Sequence, residues 1–255
     1  MPRIFITGSA DGLGQMAARL LVAQGHRVVL HARNESRAAD ALHAVPGAET
    51  AVSGDLSSIA ETKQVAERVN TLGTFDVVIH NAGIGYKEPR RGQTVDGLPP
   101  VFAINSLAPY ILTCLIQRPR RLIYLSSGLH RDGNPSLKDL EWKARPWSGY
   151  SAYADSKLHD VILAFAVARK WPDVYSNALE PGWVATKMGG PSAPDSLAEG
   201  PRTQVWLAVS EDPKACVSGS YFFHQQPRAF HPATQDLSVQ EGLLEAFGRI
   251  SGIVF

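Results

Sequence analysis

The feature that most constrains this chain is an alternation. Short apolar runs of β-type residues recur between longer segments with helical periodicity. Strands are predicted over Arg3 to Thr7, Arg27 to His31, Ala48 to Ser53, Phe75 to His80, Arg121 to Ser126, Val174 to Leu179 and Ser220 to Phe223. Helices are predicted over Gly12 to Gln24, Asn34 to Ala44, Ser57 to Leu72, Val101 to Gln117, Tyr150 to Lys170, Ser196 to Ser210 and Leu237 to Arg249. Parallel strands need long crossovers, so strands alternating with helices of this length predict an α/β fold, a doubly wound parallel sheet with helices on both faces. Such a sheet binds ligands at the carboxyl ends of its strands.

The 255 residues show no repeat, no low-complexity tract and no linker, which places residues 1–255 in a single domain. The net charge of +1 gives no basis for electrostatic capture of nucleic acid or an anionic membrane. Cys114 and Cys216 are too few for a disulfide framework, and neither they nor the eight histidines have metal-ligand spacing, so no metal is expected. The N-terminus enters a strand directly, without the pattern of a signal peptide. The most apolar stretch, Val101 to Ile116, is interrupted by Asn105, Ser106, Pro109 and Thr113, so no membrane span is expected. A cytoplasmic protein is the expectation.

Three long loops follow strands and should lie on the ligand side: residues 84–100, 128–149 and 187–202. Between the first strand and first helix lies Thr7-Gly8-Ser9-Ala10-Asp11-Gly12-Leu13-Gly14. Glycines there let the backbone turn and approach a pyrophosphate, and the helix N-terminus offers unpaired N–H groups with a partial positive charge.

This glycine spacing resembles that of the short-chain dehydrogenase/reductase family, and further markers follow in order: Asp55-Leu56, Asn81-Ala82-Gly83, Asn105, Ser126-Ser127, the Tyr153-to-Lys157 segment and Pro181-Gly182-Trp183-Val184-Ala185-Thr186. The resemblance implies a Rossmann fold, a nicotinamide cofactor, and hydride exchange between it and an aldehyde, ketone or matching alcohol. It implies that Gly8, Ser9, Asp11, Gly12, Leu13, Gly14, Asp55, Leu56, Asn81, Ala82, Gly83, Pro181, Gly182, Val184 and Thr186 bind the cofactor, together with Tyr153 and Lys157. Family habit also implies a homodimer or homotetramer.

Cofactor choice should be decided after the second strand, where an acidic side chain would favour NAD(H). That position is Ala32, followed by Arg33, whose guanidinium suits a 2′-phosphate. NADP(H) is therefore expected over NAD(H), although Asp11 stands where many NADP-using relatives carry a basic residue.

Tyr153 and Lys157 are four apart and share a helix face. A neighbouring ammonium favours the phenolate, so Lys157 is expected to lower the pKa of Tyr153, the general acid/base. By the same resemblance Ser127 polarises the substrate oxygen, chosen over Ser126 because the family's catalytic serine is the second of such a pair; strand alternation lets only one of the two face the site. Asn105 would hold a water linking Lys157 to solvent; alternatively its amide serves a helix distorted near Pro109.

Twenty-five residues separate Ser127 from Tyr153, about twice the usual family spacing. The longer loop resembles that of retinol-dehydrogenase-like members, and its Trp142 and Trp147 could wall an apolar pocket. Tyr86, Leu129, Trp147, Trp183 and Met188 are candidate pocket residues. His80 departs from the Asn more often found before Asn-Ala-Gly. The competing readings are a dinucleotide-sensing regulatory protein without turnover, which commonly lacks the Tyr or Lys, and a sugar-nucleotide epimerase, for which the chain is short.

Overall fold

The computed structural model describes residues 1–255. The chain runs β1 (Arg3–Ile6), α1 (Gly12–Ala23), β2 (Arg27–Ala32), α2 (Glu35–Ala44), β3 (Thr50–Ser53), α3 (Ile59–Thr71) and β4 (Val77–His80). There follow α4 (Pro100–Phe102), a π-helical turn (Ala103–Leu107), α5 (Ala108–Leu115), β5 (Arg121–Leu125) and a 3-10 turn (Gly128–Asp132). The remainder is α6 (Gly149–Lys170), β6 (Tyr175–Glu180), α7 (Arg202–Val209), β7 (Tyr221–Phe223), β8 (Gln226–Pro227), a second 3-10 turn (Pro232–Gln235) and α8 (Leu237–Ser251).

The sheet order is β3-β2-β1-β4-β5-β6-β7-β8, with all pairs parallel except β7–β8. The chain winds outward from β1 to β3, then crosses back to β4, so the switch point lies between β1 and β4. Open sheets of this kind carry their ligand crevice there. Central strands read as continuous apolar runs, such as Val28 to Leu30 and Val77 to Ile79, because both faces are covered. Alternation divides them. Phe5, Val29 and Val78 point into the layer with α3, α5 and α6, while Ile4, Ile6, Val28 and Ile79 point into the layer with α1 and α7. Every residue of α6 from Ala152 to Val167 is buried, so this helix is a rigid mount for whatever it carries.

The structure corrects three expectations. The helix expected over Val101 to Gln117 is three segments, with a π-helical turn at its centre. Pro109 has no N–H to donate to the carbonyl of Asn105 four residues earlier, so the α-helical ladder is interrupted at that turn. The helix expected from Ser196 begins only at Arg202, after Pro201, which disfavours helical backbone at Gly200. The short antiparallel strand β8 has no counterpart in the sequence reading. Its hairpin puts His224 and Gln225 at φ of 47° and 62°, positions that normally announce themselves with Gly or Asn. No helix is long and apolar enough to cross a membrane.

Candidate active site

The strand carboxyl ends open into a cleft of about 940 Å³. Gly8, Asp11, Gly12, Leu13, Arg33, Asp55, Leu56, Asn81, Ala82, Gly83, Tyr153, Lys157, Pro181 and Thr186 all line it. Most of the sequence markers, dispersed over much of the chain, therefore meet in one groove; Ser9, Gly14, Asn105, Ser127, Gly182 and Val184 are not part of its lining.

Its floor is the turn from β1 into α1. Gly8 has φ +62°, and a Cβ there would lie 2.7 Å from the Ala82 Cα. Gly12 has φ +56°, and nothing stands within 4 Å of where its Cβ would be. That open space faces the start of α1, which has no side-chain cap and no acidic residue in its first turn. The next two long helices are capped, by Asn34 and Ser58. Uncapped first-turn N–H groups behind an open glycine turn fit the pyrophosphate of a dinucleotide.

Two residues of the glycine loop serve the turn from behind. Ser9 is fully buried; its Oγ donates to the Ile6 carbonyl at 2.9 Å and accepts from the His31 N–H at 2.8 Å. Gly14 faces the Asn81 amide and the Gly8 carbonyl. Asn81 Nδ2 donates to the carbonyls of Thr7 and Gly8, which fixes the end of β4 against the loop.

At the outer end of the groove, Asp11 is paired with Arg37 at 3.0 Å and with Lys187 at 3.1 Å. Arg33 is exposed on the same wall. Arg37 and Lys187 were not singled out in the sequence. Asp55 accepts from the Ser57 N–H and its own N–H donates to Glu61, so this turn is rigid.

At the inner end, Tyr153 is 6% exposed. Its ring meets the edge of Tyr86 at 5.7 Å, and its hydroxyl lies 3.9 Å from Met188 Sδ. Ser127 Oγ accepts from the Leu129 N–H at 3.3 Å. Ser126, rather than Ser127, is among the residues lining the groove, and its Oγ donates to the Lys157 carbonyl at 2.7 Å. Lys157 Nζ donates to the Leu125 carbonyl at 2.6 Å and to Asp160 Oδ2 at 2.8 Å. Burial pushes the Tyr153 phenol above its ordinary value; Lys157 and Ser127 pull it down, but burial outweighs them. Lys157 thus acts on Tyr153 in the expected direction, and the net upward shift is the work of burial.

Asn105 lies in the π-helical turn and is fully buried. Its Oδ1 accepts from the Ile84 N–H at 2.9 Å, and Nδ2 donates to the Ile84 carbonyl and to Ser156 Oγ, each at 3.0 Å. Both amide hydrogens are therefore used by the protein, and the side chain clamps the strand that leaves β4. Beyond β6, Pro181 and Thr186 line the groove, whereas Gly182 turns at φ +89° and Val184 is buried behind, paired with Asp195.

The long loop before α6 is docked on the loop after β4. Trp147 Nε1 donates to the Glu88 carbonyl at 2.9 Å, and Arg91 Nε to the Glu141 carbonyl at 2.9 Å. Tyr86, Leu129, Trp147 and Met188 pack with Trp142 around Tyr153, making an apolar, aromatic wall. Trp183 sits half exposed, its Nε1 held by the Gly189 carbonyl. His80 is outside the site: it stacks on Tyr124 at 4.8 Å and reaches Thr113 Oγ1 at 3.1 Å in the core.

Residues 2–120 match the short chain dehydrogenase family. Over 99% of its length the chain is 48% identical to an uncharacterized oxidoreductase of Emericella nidulans, covering 98% of that protein. The chain belongs to the short-chain dehydrogenase/reductase family. It is also 42% identical to the short-chain dehydrogenase chyC of Penicillium rubens, over 99% of this chain and 98% of that one. An uncharacterized protein from Mycobacterium paratuberculosis has the same fold, with a TM-score of 0.85 at 24% identity over 100% of this chain and 95% of that one. This short-chain dehydrogenase/reductase is thus an oxidoreductase, and its family implies a nicotinamide dinucleotide.

Proposed function

We propose that the protein reduces an aldehyde or ketone with NADPH, or oxidises the matching alcohol in the reverse direction. The observation that carries this reading is that Tyr153 and Lys157 line the same groove as the uncapped start of α1. One end of the groove suits a pyrophosphate, and the other presents a buried phenol beside an ammonium.

When bound, the reduced nicotinamide supplies an electron pair as hydride to the carbonyl carbon. Tyr153 gives its proton to the substrate oxygen, and Ser127 hydrogen-bonds that oxygen and fixes its approach. Lys157 holds the nicotinamide ribose and supplies positive charge beside Tyr153. Thr186 and the backbone near Val184 orient the carboxamide. Asn105 contributes by holding Ile84, which forms part of the groove wall. Tyr86, Leu129, Met188 and Trp147 exclude water from the reacting atoms and favour an apolar or aromatic substrate.

Arg33, Arg37 and Lys187 line the groove, two of them gathered at Asp11, and positive charge of this kind would suit a 2′-phosphate, which supports NADP(H) over NAD(H). Asp11 is the counter-ion of two of these cations, and a 2′-phosphate would compete with its carboxylate for them.

The test follows NADPH consumption across aldehydes, ketones and quinones, with wild type beside Tyr153→Phe. Turnover that disappears in the variant while NADPH binding persists supports the reading. Equal turnover in both proteins overturns it.

A further inference from the structure

The β5–β6 register ends at the pair Leu125 and Leu179, and the Ser126 N–H still reaches the Leu179 carbonyl at 2.7 Å. Ser127 is one residue further on, beyond the hold of the sheet. Its place is set instead by the 3-10 turn that it caps. The Ser127 hydroxyl accepts from the Leu129 N–H, which engages a lone pair and leaves the O–H proton free to donate. Leu129 packs in the apolar cluster around Tyr153, so this turn borders the phenol.

One side chain closes the turn from behind. The Ser127 carbonyl accepts from the backbone N–H of His130 at 3.0 Å and again from its ring Nδ1 at 2.7 Å. The ring is fully buried and lies 4.5 Å from the Tyr221 ring, centroid to centroid. Its Nε2 accepts from the His231 N–H at 3.3 Å. A carbonyl only accepts and a backbone N–H only donates, so these neighbours admit one state of the ring: neutral, with the proton on Nδ1. Burial, which pulls the His130 pKa down to about 4, agrees.

The donor to Nε2 is itself anchored. His231 Nδ1 accepts from the Ala233 N–H at 3.1 Å and caps the second 3-10 turn. Arg131 donates to the Ala229 carbonyl at 3.2 Å, and the buried Glu180 carboxylate pairs with Arg131 at 3.6 Å and with Arg228 at 3.3 Å. The segment after β8 is thus fastened to the serine turn at Arg228, Ala229 and His231.

We propose that His130 is a positioning residue: held in a single tautomer by the His231 N–H, its Nδ1–H fixes the Ser127 carbonyl and so aims the Ser127 hydroxyl at the substrate oxygen. The inference rests on the role given to Ser127 in the proposed reaction. A hydroxyl that polarises a carbonyl acts through distance and angle, and a misplacement of about 1 Å can cost on the order of a hundredfold in rate. A turn beyond the end of a strand has that freedom unless a rigid group removes it. A buried imidazole bonded at both nitrogens is such a group.

The experiment measures steady-state reduction by wild type, His130→Phe, His130→Gln and His130→Asn, each also in a Ser127→Ala background. Phe keeps a ring against Tyr221 but makes neither bond. Gln places its amide where Nε2 stands and serves only His231; Asn places an N–H where Nδ1 stands and serves Ser127. In His130→Phe and His130→Gln kcat should fall about tenfold and in His130→Asn it should recover most of the loss, with substrate KM and NADPH affinity near wild type. In the Ser127→Ala background the same substitutions should change kcat little, because the hydroxyl they aim is gone.

Wild-type kcat in folded His130→Phe overturns the proposal. A loss as large in the Ser127→Ala background as outside it does so too, since that marks a merely structural histidine. A second measurement needs no variant, cofactor or substrate: nitrogen NMR of the His130 ring, assigned from its backbone in uniformly labelled protein, should show the Nδ1–H tautomer at neutral pH. A proton on Nε2, or on both nitrogens, overturns the proposal. Turnover lost in Ser127→Ala but intact in His130→Phe overturns this inference and leaves the reaction standing, whereas full turnover in Ser127→Ala overturns the role of the serine on which it rests.

Discussion

His31 Nδ1 accepts a hydrogen bond from the Gly8 N–H at 3.0 Å, tying the turn of the glycine loop to the end of β2. The other ring nitrogen meets the Gly54 carbonyl at 3.0 Å, so the neutral ring donates there and accepts from Gly8. One buried imidazole thus joins the ends of β1, β2 and β3 beneath the dinucleotide groove.

Replacing His31 with Ala leaves the partly buried Gly8 N–H and Gly54 C=O without their partner, a loss of about 1 kcal/mol. The urea midpoint should fall, and the NADPH dissociation constant should rise several-fold as Gly8 loosens. Burial also pushes the His31 pKa from 6.5 down to about 4. The unfolded chain takes up this proton first, so the stability His31 contributes is complete above pH 6.5 and is lost as pH falls toward 4. Denaturation midpoints between these limits should depend less steeply on pH in His31→Ala. Equal slopes would show that His31 is not the group responsible.

Asp11 holds Arg37 and Lys187 at the outer end of the groove. Asp11→Asn removes the competing carboxylate, and no capping bond is lost because the Asp11 side chain makes none to α1. NADPH should bind several-fold tighter to this variant, with little change for NADH, while Arg37→Ala should weaken NADPH alone. Parallel binding titrations of the two cofactors check this; an equal effect on both would remove these residues from 2′-phosphate recognition.

Arg145 lies 3.5 Å from the centroid of the Trp142 ring and pairs with the buried carboxylate of Asp155 at 2.5 Å. Asp155 also accepts from the Asn134 N–H, so the pair pins both ends of the long loop to α6. Arg145→Ala strands a buried charge, a loss of about 3 kcal/mol or more. Melting temperature should drop and substrate KM should rise as the aromatic wall loosens, while NADPH affinity stays near wild type. A KM that does not move would separate this loop from the substrate.

What the sequence disclosed and what it withheld divide along physical lines. The glycine turn and the apolar strands were legible because each is a local pattern, a glycine where φ is positive or a run buried on both faces. Arg37 and Lys187 were not, because they reach Asp11 from 26 and 176 residues away and only the fold brings them together. Asp160 did leave a signal: a carboxylate next to Val161 and Ile162, on a helix buried all round. His31 left a similar one, a polar residue inside β2. Asn105 was visible as a marker, but its clamp on Ile84 depends on a backbone widened by Pro109, which periodicity alone reads as plain helix.

The central claim is that Tyr153 delivers the proton while hydride passes directly from the dinucleotide to the carbonyl carbon. The most direct test supplies NADPH deuterated at the transferring position of C4 and locates the label in the alcohol product, for wild type and for Tyr153→Phe. The account predicts deuterium on the carbinol carbon with wild type and almost no product with the variant, although both bind NADPH alike. Label lost to solvent, or full turnover by the variant, would contradict it.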